Sequence, residues 1–228
     1  GRNGNFNIQD TLQVKTDEPV TLLASATSKS NNFILKVPGI SLNNGVHLHA
    51  PGILSLDATS AGNFSMGYGK VSSGIFTDIH GASIESCGKK STVPGGSPHT
   101  KNFVQSVTYE RSQFSGGSGV PYTYIDPETG VEENRTMGLR LRSESNIYGQ
   151  STFFGATGDV LLQAQRDIRN YGAQQLVLTY YHKDEGKTRT EREYRWDTEF
   201  FPGSIASTHG KVLIDSMGGT FQQYAGSI

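Results

Sequence analysis

Apolar and polar residues alternate over short stretches of this chain, and helical periodicity is nearly missing. Leu12 and Val14 alternate with Gln13 and Lys15, and Val46, Leu48 and Ala50 with His47 and His49. Leu54, Leu56 and Ala58 alternate with Ser55 and Asp57, Val160, Leu162 and Ala164 with Leu161 and Gln163, and Val212, Ile214 and Ser216 with Leu213 and Asp215. A period of two sends one set of side chains inward and the other outward on a pleated strand. The stretches end at Gly, Asn or Asp, which supply turns. The pattern therefore predicts an all-β chain of short strands.

The alternating pieces repeat. Gly158-Asp159-Val160-Leu161-Leu162-Gln163-Ala164 aligns with Gly210-Lys211-Val212-Leu213-Ile214-Asp215-Ser216, 52 positions on. With one inserted residue, Ile168–Ala173 falls on Phe221–Gly226. A looser copy is Gly52–Ala58 followed by Gly62–Met66, and weaker units are Ser72–Ile79 and Gly81–Ile84. Two or three such pieces make a coil of about 20 residues, the size of a solenoid rung. One coil cannot bury its inward Val, Leu and Ile, whereas stacked coils bury each other's and satisfy the backbone as parallel sheets. The expected fold is a right-handed parallel β-helix, with small residues such as Ala164 and Ser216 at the bends and glycine there supplying positive φ.

Two stretches break the period. Gln175–His182, a turn at Lys183-Asp184-Glu185-Gly186, and Thr188–Phe200 read as a β-hairpin. Strand candidates Phe103–Phe114 and Met137–Ser143 flank a loop with Asp126-Pro127-Glu128-Thr129-Gly130, after the Gly/Ser/Pro run Ser91–Pro98. Antiparallel hairpin excursions projecting from the solenoid are expected. The division is coils over 1–88, an excursion over 89–150, a coil over 151–175, a hairpin over 176–202 and a coil over 203–228. Tyr109, Arg111, Tyr122, Tyr124, Tyr194, Arg195 and Trp196 lie in the excursions. Such residues often anchor interfaces, and they are the candidate surface-contact residues; the alternative is that they pack back on the solenoid wall.

Composition fits a β-rich extracellular surface. Of 228 residues, 28 are Gly and 8 Pro, with no Gly-X-Y period, and charged residues are only 18%. A net charge of −1 gives no electrostatic case for nucleic acid or an anionic membrane. The cluster Lys187–Glu193 is mixed in sign and suits a solvated strand face. Cys87 is the only cysteine, so an intrachain disulfide is impossible, and no motif marks it as reactive. Gly1–Asp10 has no signal-peptide character, and no window approaches the apolar length of a membrane helix. The chain reads as a piece of a longer protein, with export signals outside it.

The unit Gly158-Asp159-Val160-Leu161-Leu162-Gln163-Ala164-Gln165-Arg166-Asp167-Ile168-Arg169-Asn170-Tyr171-Gly172-Ala173 resembles the repeat of filamentous haemagglutinin and related two-partner-secretion exoproteins, with Arg166 where that repeat usually has Gly. The polar hairpin Thr188–Glu199, then Pro202-Gly203-Ser204-Ile205 and a Gly-x-Val-x-Ile coil, is similar to later repeats of contact-dependent growth-inhibition exoproteins. The likeness is good over 151–228, fair over 43–86 and poor across the two excursions, and Met217-Gly218-Gly219-Thr220 departs from the repeat. The resemblance implies a secreted, cell-surface fibre exported through an outer-membrane transporter partner. It implies contact with a host or neighbouring-cell receptor, protein or glycan. An alternative within it is a segment that supports toxin delivery in a growth-inhibition exoprotein.

Candidate chemistry is sparse. His47-x-His49 puts two imidazoles on one strand face with Asp57 as a conceivable third ligand, but zinc needs three or four, and outward polar residues are the simpler reading. His99, His182 and His209 are isolated. No Gly-x-Ser-x-Gly elbow occurs. Asp57, Asp159, Asp167 and Asp215 recur at equivalent repeat positions, which suits turns and outward faces. A β-helical polysaccharide-degrading enzyme is a further alternative, requiring paired carboxylates across one sheet. The sequons Asn63-Phe64-Ser65 and Asn134-Arg135-Thr136 are idle in a bacterial chain. No catalytic residue, metal or cofactor is expected.

Overall fold

The computed structural model describes the backbone of residues 12–14, 21–23, 32–42, 45–58, 62–93, 102–126, 129–184 and 190–224, and the side chains of 32–42, 45–58, 62–89, 110–126, 129–172 and 202–224. Among these residues there is no helix.

The chain visits three sheets in fixed rotation. The first coil is β1 (Leu12–Val14), β2 (Thr21–Leu23) and β3 (Phe33–Lys36); the second is β4 (Ile40–Leu42), β5 (Val46–Ala50) and β6 (Ile53–Asp57); the third is β7 (Phe64–Met66), β8 (Gly69–Ser73) and β9 (Phe76–Gly81). In the fourth, β10 (Ile84–Cys87) is followed by an inserted β11 (Lys89–Val93) and β12 (Asn102–Glu110), then β13 (Ser112–Gly116), an inserted β14 (Val120–Ile125) and β15 (Glu132–Ser143). The fifth is β16 (Ile147–Gln150), β17 (Thr152–Ala156) and β18 (Asp159–Ala164). The sixth is β19 (Ile168–Tyr171), an inserted β20 (Ala173–Asp184) and β21 (Thr190–Phe201), then β22 (Ser204–Ser207) and β23 (Val212–Ser216); β24 (Phe221–Tyr224) begins another turn.

Wall 1 stacks β1-β4-β7-β10-β16-β19-β24, wall 2 β2-β5-β8-β13-β17-β22, and wall 3 β3-β6-β9-β15-β18-β23. Neighbours within each wall pair in parallel, as in β4–β7, β5–β8 and β6–β9. The molecule is thus a β-solenoid of stacked coils. The internal repeat is its stacking register: Val160 pairs with Val212, Leu162 with Ile214, Ile168 with Phe221 and Tyr171 with Tyr224. Those partners are far apart in sequence because β20 and β21 are inserted, whereas His49 and Ser72, stacked on coils without an insertion between them, are 23 apart.

Alternation along each strand builds the core. On wall 3, Leu56, Ile79, Leu141, Leu162 and Ile214 form one inward column, and Leu54, Thr77, Leu139, Val160 and Val212 another. On wall 2 the column is Leu48, Val71, Phe114, Phe154 and Ile205. The Phe114 and Phe154 rings stack 5.4 Å apart at 11°, and Phe64 of wall 1 meets Phe114 at 5.8 Å. Gly149 makes room for this: a methyl group there would press on the Phe154 ring. Inward hydroxyls are tied between coils, with Thr152 Oγ1 donating to Ser86 Oγ at 3.1 Å and Ser112 Oγ to the Gly67 carbonyl at 3.3 Å.

The corners correct one expectation. Positive φ occurs at Gly45, Gly119 and Gly130 and at the non-glycine Ser151, but not at most corner glycines. These are needed for close stacking instead: a methyl on Gly117 would overlap the Gly74 carbonyl, and one on Gly74 the Pro51 carbonyl. Small residues do close the bend after wall 3, where Gly81, Ser143, Ala164 and Ser216 lie in one column. There Ser143 Oγ donates to the Ala82 carbonyl at 3.0 Å.

The single excursion expected over 89–150 is also corrected. Ser112–Gly116 lies in wall 2, Leu139–Ser143 in wall 3 and Ile147–Gln150 in wall 1. β15 does two jobs, pairing antiparallel with β14 through Met137 and then, past a register shift at Gly138, parallel with β9 and β18. Apolar alternation begins only at Met137, after the polar run Glu132–Thr136, and it does not tell which strand lies beside it. The other insertions, β11–β12 and β20–β21, leave from the corner between walls 1 and 2 and join as an antiparallel sheet in the order β11-β12-β20-β21.

Two neighbouring residues test the inward and outward assignment. Phe114→Ala is expected to cost about 4 kcal/mol of unfolding free energy, and Gln113→Ala under about 0.5 kcal/mol, measured by urea denaturation.

Candidate contact surface

The candidate residues lie on several elements. Tyr122 and Tyr124 lie together on β14; Arg111 is exposed between β12 and β13. Tyr109 lies on β12 opposite Lys90, while Tyr194, Arg195 and Trp196 lie on β21 opposite Tyr180, Thr179 and Leu178. The side chains of Tyr109, Tyr194, Arg195 and Trp196 fall outside the described residues, as do residues 185–189 of the turn between β20 and β21.

Tyr122 is turned to the wall, not to a partner. It sits opposite Arg135 in the β14–β15 register, and both reach Asp159, which is 2% exposed. Tyr122 Oη donates to Asp159 Oδ2 at 2.6 Å, Arg135 Nε to Oδ2 at 2.6 Å and Arg135 Nη2 to Oδ1 at 2.5 Å. The Lys211 backbone N–H of the following coil donates to Oδ1 at 2.7 Å. One carboxylate thus links the β14–β15 pair, the fifth coil and the sixth. Tyr124 lies in the next row, with Arg135 Cζ 5.2 Å and Lys211 Nζ 5.6 Å from its ring centre. Glu133 completes the group, 3.3 Å from Arg135 and 3.5 Å from Lys211.

The electrostatics follow from this geometry. Burial raises the Asp159 carboxyl, but hydrogen bonds from Arg135, Tyr122 and the Lys211 N–H outweigh it and hold the group below its ordinary range. Burial raises the Tyr122 hydroxyl, and its bond to Asp159 and that carboxylate's charge raise it further. The hydrogen bond to Asp159 keeps Arg135 firmly charged. Asp159 was expected in a turn or on an outward face; it is a buried anchor because it opens β18 directly beneath the inserted pair.

The other recurring aspartates take different roles. Asp57 and Asp215 share an outward column of wall 3 with Lys36, His80, Arg142 and Gln163. His80 stands between two carboxylates, Nδ1 3.0 Å from Asp57 and Nε2 3.1 Å from Glu144. Beside it Arg140 grips Asp78 with two hydrogen bonds of 2.9 and 2.7 Å. Asp167 accepts from the Thr220 N–H at 2.9 Å, and this bond lowers its carboxyl.

On wall 1, Tyr148, Tyr171 and Tyr224 climb the outer face with ring centres 5.8 and 5.7 Å apart. These tyrosines were not singled out from sequence, although the repeat that sets Tyr171 on Tyr224 holds the signal. The rings meet edge-on and tilted, which packs them on one another and leaves no flat platform. Tyr68 is pushed up to about 12 by its hydrogen bond to Glu110, with burial and the Glu110 charge adding to it, while Lys89 lies 5.6 Å from its ring centre. These contacts fasten the root of β11–β12 to the third coil.

His47 and His49 face outward on wall 2, where His49 Nδ1 lies 2.9 Å from Ser72 Oγ. Asp57 is on wall 3 beside His80, so the conceivable ligand set does not assemble. Among the described residues no group of three or more His, Cys, Asp and Glu is placed to hold a metal ion. Burial and then the charge of Glu85 push the Cys87 thiol up. Comparison with family models, curated proteins and solved structures finds no match for this chain.

The clamp predicts a pH dependence. A depressed folded-state value means that the Asp159 contribution is complete above its unfolded value, about pH 4, and is lost as pH falls through the lower folded value. Asp159→Asn is expected to cost about 3 kcal/mol at neutral pH and to flatten that acid-side loss, read from denaturation curves between neutral and strongly acid pH.

Proposed function

We propose that this chain is a segment of a large secreted bacterial surface fibre of the filamentous haemagglutinin type, whose role is structural and adhesive. The observation that carries the reading is the coincidence of repeat and register: the unit resembling the haemagglutinin repeat pairs, residue for residue, with its own later copy in the next coil. Parallel stacking of this kind grows along one axis and suits a stalk held away from a cell. The coil is right-handed, in keeping with the handedness that strand twist imposes on parallel crossovers. The inserted pairs project from the wall as hairpins and supply surface beyond the stalk. Outward charges on wall 3 are largely paired with one another, which gives a stalk that stays solvated without a strong field of its own. Export would run through an outer-membrane transporter, and the contacted group would be a receptor on a host or neighbouring cell.

Adhesion of coated particles tests this. Beads carrying the chain should adhere saturably to bacterial or epithelial cells, above albumin-coated beads, and free chain should compete. Adherence no greater than albumin on every cell type, or turnover of an acidic glycan by the purified chain, would contradict it.

A further inference from the structure

We infer that the inserted strands brace the fourth, fifth and sixth coils into one unit that opens as a whole, with the uninterrupted fifth held between the other two. Stacked coils otherwise touch only their neighbours, and stability along such a stack is local. Two contacts skip a coil. The first stands at the corner between walls 2 and 3. β14 and the outer half of β15 are inserted in the fourth coil, yet the Tyr122–Arg135 row of their register meets Asp159 of the fifth. The next row, Tyr124–Glu133, meets Lys211 of the sixth, whose ammonium lies 5.6 Å from the Tyr124 ring centre and 3.5 Å from Glu133. Successive rows meet successive coils, so the pair climbs the stack as it leaves the wall.

The second contact stands at the corner between walls 1 and 2. β12 is inserted in the fourth coil and β20 in the sixth, and they pair from Asn102–Tyr181 to Gln105–Leu178. At their roots the two strands are two coils apart, about 10 Å. Gly88, Ser151 and Gly172 are stacked there, the Gly88 N–H donating to the Gln150 carbonyl and the Ser151 N–H to the Tyr171 carbonyl. The strands therefore fork around the corner of the fifth coil and close beyond it. Ser151 is fully buried at this fork with a φ of 51°. A left-handed backbone is costly for serine and persists where the surroundings fix it. The two contacts stand at different corners and share no residue. One alone would leave the sixth coil free to swing about it; the pair prevents this. The brace is independent of what the chain binds.

Amide hydrogen exchange of the folded chain, followed by NMR in low urea, reads the opening of each strand. Amides of β13, β17 and β22, one strand from each braced coil on wall 2, should share one opening free energy and one urea slope. Arg135→Lys keeps the charge but loses the two-pronged contact with Asp159. It should speed exchange in all three strands by one common factor, about 10-fold or more, and in β5 of the second coil by less than about 2-fold. Tyr122→Phe, which removes a single hydroxyl, should show the same distribution with a smaller factor. The brace is overturned if β13, β17 and β22 open with separate free energies and slopes in the parent chain. It is equally overturned if the variants leave β22 unchanged, or if β5 is speeded as much as the braced coils.

Discussion

Parallel backbone hydrogen bonding between successive coils is the constraint on which the rest depends. A strand of three to six residues, such as Ile40–Leu42 or Phe76–Gly81, has no stability alone. Each becomes stable because carbonyls of the neighbouring coils accept from its N–H groups and N–H groups of those coils donate to its carbonyls. The same stacking aligns like with like, so that every inward residue meets the inward residue of the next coil. The columns through Leu56 and Leu48 are consequences of that alignment, and the Phe114–Phe154 stack is its tightest expression.

Stacking at strand spacing leaves little room where the chain turns. This is why glycine at Gly74 and Gly117 answers to a neighbouring carbonyl rather than to a left-handed backbone. It also explains how long insertions are tolerated. The insertions enter at corners, and the inward columns continue past them, Val71 on Phe114 and Phe154 on Ile205. β14–β15 shows the further step, in which an insertion is bound back to the wall through a buried charge. Such a pair is costly to desolvate and repays that cost only with well-made hydrogen bonds; Asp159 receives four.

Much of this was legible in the sequence. Alternation marked the inward residues of β5, β6, β18 and β23, and the offset between Gly158 and Gly210 marked which strands are neighbours. Three things escaped it. Alternation tells which way a side chain points but not which strand lies beside it, so β13, β15 and β16 were assigned to an excursion. A repeat position does not distinguish an exposed aspartate from a buried one; Asp57 and Asp159 look alike until Tyr122 and Arg135 arrive from an insertion that the repeat does not contain. Aromatic identity suggested contact for Tyr122, yet its hydroxyl is satisfied on the wall, and the exposed apolar groups of that pair are Ile125 and Val131.

The most direct test of parallel stacking is the pattern of inter-strand nuclear Overhauser contacts in the labelled chain. Contacts should join Val160 with Val212, Leu162 with Ile214 and Ile168 with Phe221, with both residue numbers rising together along each ladder. Contacts in which one number rises as the other falls, as in antiparallel sheets, or none between these segments, would contradict the solenoid.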